Sequence, residues 1–165
     1  MSPSTNLMVN FQFVGDKVFT FDYHFKIIIM YPIEIVAPMK AELTSAGFED
    51  LTTADAVDAA VNADGTTLLV INSVCGCAAG NARPGVKAAA QLEKRPTRLT
   101  TVFAGFDADA VNQARNYMLP FPPSSPAIAL FKDGNLVHMI ERHNIEGHTA
   151  QSIAEGLEVA FNEHC

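Results

Sequence analysis

Apolar and polar positions alternate between helical and strand periods along most of the chain. In 33–46, Ile35, Met39, Leu43 and Ala46 form one stripe at the 3.6-residue period, which predicts a helix. Pro32 suits its first turn, Gly47 is a candidate C-terminal cap, and Pro38 is expected to kink or weaken it. Phe48 to Leu51 reads as a short edge strand. Thr52 and Asp55 have the spacing of a capping box for a helix through Ala63, which Asp64-Gly65 ends. Leu68 to Ile71 is a continuous apolar run inside a strand over 66–73, the mark of a strand buried on both faces. A helix over about 77–92 follows, with Pro84-Gly85 expected to break or bend it. A β-branched strand covers 98–104, and Asp107 or Asp109 caps a helix through Met118. After a proline-rich stretch, 127–131 and 136–140 flank the turn Lys132-Asp133-Gly134-Asn135 as a hairpin. The last helix covers 149–162, with Ile153, Leu157, Ala160 and Phe161 on one face. Strands alternating with helices, then an antiparallel hairpin, predict an α/β domain over 30–165 whose mixed central sheet has helices on both faces.

Residues 1–29 read differently. Phe19, Phe21, Tyr23, Phe25, Ile27 and Ile29 alternate at period two, and Phe11 and Phe13 do so before Gly15-Asp16. This segment is an accessory N-terminal β-hairpin or an over-extended start, with Met30 as the natural initiator.

Composition narrows the classes. The chain has 165 residues, 48% hydrophobic and 18% charged, which suits one globular domain. A net charge of −7 argues against general binding to nucleic acid or anionic membrane, both of which reward a basic surface. The apolar run Ile27-Ile28-Ile29-Met30 is far short of the roughly 20 residues of a membrane span, and no basic region precedes a signal-like core. Cytoplasm is the expected compartment. Three cysteines, two almost adjacent and one terminal, are not a secreted disulfide framework.

Cys75 and Cys77 sit where the buried strand hands over to a helix. The unpaired first-turn N–H groups and the positive dipole end of a helix stabilise a thiolate. Residues two apart point to different sides of a helix, so the two sulfurs can bond only with Cys75 in the preceding loop. Gly76 supplies the backbone freedom for this. So small a ring is expected to be strained and readily reduced, as catalytic or regulatory disulfides are. The competing readings are a metal half-site and two inert core thiols. Cys75, nearer the loop, is the candidate nucleophile, and Cys77 the candidate resolving thiol. Arg83, eight residues beyond Cys75, could supply a cation for a bound disulfide or a small-thiol carboxylate, but reads more readily as a surface or ion-pair group. His138, His143 and His148 invite a metal reading without a second cysteine pair. A four-ligand zinc set would need Cys75, Cys77, His164 and Cys165, with the tail folded back. Cys165 is also a candidate third redox thiol, though more readily a mobile bystander.

The segment Val70-Ile71-Asn72-Ser73-Val74-Cys75-Gly76-Cys77-Ala78-Ala79-Gly80, then Ala82-Arg83-Pro84, resembles the active-site segment of the bacilliredoxins, thioredoxin-fold proteins with a Cys-Gly-Cys centre. Pro38-Met39, Glu42-Leu43-Thr44, Gly47-Phe48, Val102-Phe103-Ala104-Gly105, Pro123-Ser124-Ser125-Pro126, Arg142-His143-Asn144-Ile145-Glu146-Gly147-His148 and His164-Cys165 match in order. The resemblance implies a thioredoxin-like fold and the same two cysteine roles. It implies a cis-proline at Pro126 that places the preceding backbone, at Ser125, beside the active-site sulfur. Ser125, Pro126 and Gly76 are the expected substrate-binding positions. The implied activity is reduction of protein–bacillithiol mixed disulfides, with S-bacillithiolated proteins and a low-molecular-weight thiol as partners and no metal or organic cofactor. The alternatives are a disulfide isomerase or general protein disulfide reductase and, in another class, a metal- or cluster-binding module using Cys75, Cys77 and Cys165.

Overall fold

The computed structural model describes residues 30–165; the hairpin expected within 1–29 lies outside the described residues. Helix α1 (Ile33–Thr44) leads to the two-residue strand β1 (Glu49–Asp50), then α2 (Ala54–Val61) and β2 (Thr66–Asn72). A π-helical turn (Ala78–Ala82) continues into α3 (Arg83–Ala89), followed by β3 (Arg98–Phe103) and α4 (Ala108–Tyr117). The hairpin β4 (Ala127–Lys132) and β5 (Asn135–Ile140) precedes a one-turn helix α5 (Arg142–Ile145) and the long α6 (Ala150–His164).

The five strands form one mixed sheet in the order β1-β3-β2-β4-β5. β1 and β2 run parallel to β3, and β4 runs antiparallel to both β2 and β5. Every residue of β2 is buried, as its unbroken apolar run predicts. Its side chains alternate between two cores. Leu68 and Val70 pack with Val86, Ile153, Leu157 and Phe161 on one face; Leu69 and Ile71 pack with Val57, Val111, Ala114 and Phe131 on the other. Helices therefore cover both faces, and β2 delivers its C-terminal end to the middle of one edge of the domain. The β4–β5 turn is formed by Asp133 (φ 49°) and Gly134 (φ 79°), the two left-handed residues a tight hairpin needs.

Several local expectations shift. Gly47 (φ 91°) closes α1 as anticipated: its N–H donates to the Thr44 carbonyl and that of Phe48 to the Leu43 carbonyl. In the stripe of α1, Leu43 is buried and Ala46 packs against the core as expected, but at its N-terminal end Val36 is buried and Ile35 is 46% exposed. The cap of α2 is Thr53, not Thr52; its hydroxyl accepts from the Ala56 N–H at 3.2 Å. Pro84 does not break the helix after β2. A proline cannot donate to the carbonyl four residues back, and its ring crowds that carbonyl. The helix widens just before it, and the Arg83 N–H reaches back to the Ala78 carbonyl, five residues away. Lys40 Nζ bridges Asp50 (2.9 Å) and Asp107 (2.6 Å), tying α1 to β1 and to the start of α4. No helix among the described residues is long and apolar enough to cross a membrane.

Candidate active site

Where β2 ends, Asn72 and Ser73 are both buried, so their polar atoms must find partners inside the protein. Asn72 Nδ2 donates to the Met39 carbonyl (3.2 Å), and its Oδ1 accepts from the Ser73 N–H (2.8 Å). Arg83 completes this floor. Its Nη1 donates to Asn72 Oδ1 and to the Ser73 carbonyl, both at 3.1 Å, while Nε donates to Glu42 of α1 at 2.8 Å. The π-turn explains how Arg83 gets there: one extra residue in a turn rotates everything after it by about 100° relative to a regular helix. The surface reading of Arg83 is thereby corrected. Its side chain is 2% exposed, and it holds the strand-to-helix turn from below while ion-paired to Glu42.

Cys75 opens the helix. Its carbonyl accepts from the N–H groups of Ala78 (3.1 Å) and Ala79 (3.2 Å), and helical geometry begins at Gly76. Cys75 thus occupies the N-cap, and its sulfur makes the capping contact: Sγ accepts from the Ala78 N–H at 3.3 Å and from the Ser73 hydroxyl at 3.3 Å. Two donors and the positive end of a helix converge on this sulfur, an arrangement that favours its anionic form. Cys75 and Cys77 are joined in a disulfide with Cα atoms 5.4 Å apart. Cys75 is partly exposed, Gly76 is exposed, and Cys77 packs against the core.

Facing Cys75 is an open groove of about 250 Å³. Its walls come from distant parts of the chain: Tyr31 before α1, Ala104 and Gly105 after β3, Arg115 on α4, Ser125 before β4 and Arg142 on α5. Tyr31 is held by its N–H on the Gly105 carbonyl (3.1 Å), and its ring lies so close to Gly105 that a Cβ there would come within 2.5 Å. The Ser125–Pro126 peptide is cis, and so is Leu119–Pro120. Arg142 Nη1 donates to the Ser125 carbonyl at 3.3 Å, and Nε and Nη2 bind Glu146 Oε1 at 2.9 and 2.6 Å. Those hydrogen bonds hold the Glu146 carboxyl below the ordinary carboxylate range and push the Arg142 pKa up.

Of the positions singled out in the sequence, Cys75 and Ser125 line one groove, with Cys77 bonded to Cys75 and Pro126 next to Ser125. Cys165 does not join them. It is exposed at the end of α6, where Lys132 binds the His164 carbonyl at 2.8 Å, and Lys132 pairs with Thr66 at the start of β2. The length of β2 alone, about 20 Å at the usual rise per strand residue, separates that end from Cys75. A metal module built from Cys75, Cys77 and Cys165 is therefore geometrically ruled out. Among the described residues no three His, Cys, Asp or Glu side chains are grouped to hold a metal ion, and His138, His143 and His148 fall in no such group. Tyr31, Arg115 and Arg142 were not candidates from sequence. Arg142 stands in a block that supports the resemblance, whereas Tyr31 and Arg115 carry no local signal.

Comparison with known proteins agrees with this geometry. A family model described as disulphide isomerase matches residues 31–165. A bacilliredoxin of Cytophaga hutchinsonii is 61% identical over 81% of this chain and 99% of its own length. One of Staphylococcus aureus is 49% identical over 82% of this chain and 94% of its own length. Among solved structures, oxidised mitochondrial thioredoxin 3 of Saccharomyces cerevisiae superposes with a TM-score of 0.51 at 15% identity, covering 74% of this chain and 98% of that one. That likeness establishes the thioredoxin-like fold. With a paired Cys-Gly-Cys centre on that fold and relatives of this identity across nearly their whole length, the chain belongs to the bacilliredoxin family and is a thiol–disulfide oxidoreductase.

Proposed function

We propose that the protein reduces mixed disulfides between proteins and bacillithiol in the cytoplasm, with Cys75 as nucleophile and Cys77 as resolving thiol. The observation that carries the reading is the position of Cys75 Sγ. It caps a helix, accepts from the Ala78 N–H and the Ser73 hydroxyl, and opens onto a groove large enough for a small thiol. The catalytic unit is residues 30–165.

In the first step the Cys75 thiolate attacks the bacillithiol sulfur of the mixed disulfide. A Cys75–bacillithiol disulfide forms, the old S–S bond breaks, and the target protein leaves as a thiolate that takes a proton from water. In the second step the Cys77 thiolate attacks Cys75 Sγ, the Cys75–Cys77 disulfide forms, and bacillithiol leaves. Two electrons have passed from the enzyme to the substrate, and an external thiol reductant returns them. The backbone at Ser125 and the exposed Gly76 flank the incoming disulfide. Arg83 acts through the turn beneath the cysteines rather than on the substrate.

The Cys77→Ser protein blocks the second step. Mixed with a bacillithiolated target, it should accumulate one bacillithiol on Cys75, seen as an intact-protein mass increase that dithiothreitol reverses. A target protein captured on Cys75 in place of bacillithiol, or no adduct at all, would overturn the proposal.

A further inference from the structure

We propose that Arg115 binds a carboxylate of the small-thiol half of the substrate and thereby decides which of the two sulfurs Cys75 attacks. This rests on the proposed reduction of mixed disulfides and names the part of the substrate that the groove grips.

Three arginines approach the Cys75 turn, and two have partners. Arg83 is bound to Glu42, Asn72 and Ser73; Arg142 is bound to Glu146 and Ser125. Arg115, in the last turn of α4, lines the groove with Cys75, yet among the described residues no carboxylate pairs with it and its Nε is buried without a hydrogen-bond partner. This is costly for a protein to leave so, because a half-buried guanidinium that gives up water needs acceptors in return. The chain has acids to spare, at a net charge of −7, and has placed none of those described against this cation. Nε itself is closed off from the groove, so the acceptor that fits is a ligand group on the remaining N–H donors of the guanidinium. A planar fork of N–H donors matches a carboxylate in two parallel hydrogen bonds, and Arg is favoured for that role over Lys.

The consequence is regiochemical. A mixed disulfide offers two sulfurs, and attack at either conserves electrons. With its carboxylate on Arg115, the small thiol lies in the groove with its sulfur toward Cys75. Cys75 then bonds to that sulfur, the S–S bond breaks, and the protein leaves as a thiolate that takes up a proton. Attack at the protein sulfur would instead leave the target bound to the enzyme. Arg142, held by Glu146 and the Ser125 carbonyl, lines the same groove as a second and weaker cation. The part that sequence reasoning offered to Arg83 thus passes to a residue on another helix.

The test keeps one target protein and varies its cap: bacillithiol and glutathione, which carry carboxylates, and cysteamine, which carries none. For Arg115→Gln, the ratio of kcat/KM for either carboxylate cap over the cysteamine cap should fall about tenfold, mostly through KM, the size of one charge-assisted hydrogen bond pair. Arg115→Lys should recover part of that ratio. An unchanged ratio overturns the proposal, whether all three caps lose equally or none does. Equal loss would assign Arg115 to an acidic group on the target protein or to the fold. Should wild-type protein fail on the bacillithiol cap yet lose its glutathione-over-cysteamine ratio in Arg115→Gln, the clamp stands and bacillithiol is the wrong thiol.

Discussion

The floor and the rim of the Cys75 groove are built on opposite principles. In the floor, the described polar contacts close on one another: Asn72 Oδ1 serves two donors, Arg83 serves Glu42, Asn72 and Ser73, and Ser73 passes its hydroxyl to the sulfur. On the rim, Arg115 has Nε buried without a partner, and Arg142 is held by an exposed carboxylate that water can replace. Closed networks give rigidity, because removing any member strands the rest. Unsatisfied groups give affinity, because a ligand collects what the fold has left unused. The floor therefore sets where the sulfur is, and the rim sets what comes to it. Floor variants should cost stability and slow every substrate alike, whereas rim variants should change the order of substrates and leave stability nearly untouched.

The largest effect is expected for Arg83→Met. Methionine fills much of the volume but leaves the Ser73 carbonyl without a donor and Glu42 without its cation. Because Glu42 is partly in water, its own loss is modest, and the whole change should cost about 3 kcal/mol, read as a lower urea midpoint with an unchanged slope. kcat/KM should fall for bacillithiol, glutathione and cysteamine caps by one common factor. A change in their ranking would mean that Arg83 reaches the substrate and that the two regions are not separate.

How much of this could be read from the chain follows the same division. The floor was largely legible, because its parts lie close together: the apolar run Leu68 to Ile71, its end at Asn72, and two cysteines at the opening of a helix. The periodic elements were legible too, as the buried Ile153, Leu157 and Phe161 of α6 illustrate. Failures came where one residue of phase matters. The stripe of α1 holds at Leu43 and Ala46 but slips by one residue at its start, where Val36 is buried and the equally apolar Ile35 is exposed, and Thr53 rather than Thr52 caps α2. For Arg83 the ion-pair reading holds in its bond to Glu42, but the surface reading fails, because the widened turn before Pro84 rotates the side chain inward, which a regular helical period does not anticipate. The rim was hidden for another reason. Tyr31 and Arg115 lie 44 and 40 positions from Cys75, and only the β2–β3–α4 crossover and the N-terminal approach to Gly105 bring them to it.

A smaller effect is expected where floor and sulfur meet. Ser73→Ala removes one of the two donors to Cys75 Sγ and nothing else from the network. The thiolate loses part of its stabilisation, so the thiol titration should move up by about half a unit. A more basic thiolate is also a better nucleophile, with a Brønsted slope near 0.4–0.5, so the roughly threefold loss of thiolate shrinks to about twofold in rate. The direction in pH follows: the variant should lag wild type below the thiol pKa and match or slightly exceed it well above. Iodoacetamide alkylation of the reduced Cys77→Ser background against pH would measure both, and a variant that lags equally at every pH would contradict it.

The smallest expected effect sharpens the rim. Glu146→Gln takes the carboxylate from Arg142 while leaving an amide oxygen that still accepts a hydrogen bond. In wild type, Arg142 holds Glu146 ionised to below the ordinary carboxylate range, so the pair persists at every pH at which the cysteines work. The substitution therefore acts throughout the assay range, and its effect should not vary between pH 6 and 8. Both groups are well exposed, so water and salt weaken what is gained. The carboxylate-over-cysteamine ratio should rise by less than about twofold, and 0.5 M salt should erase the rise. A fall in the ratio would mean that Arg142 works through its hold on the Ser125 carbonyl, which Glu146 steadies, and would move Arg142 from the rim to the floor.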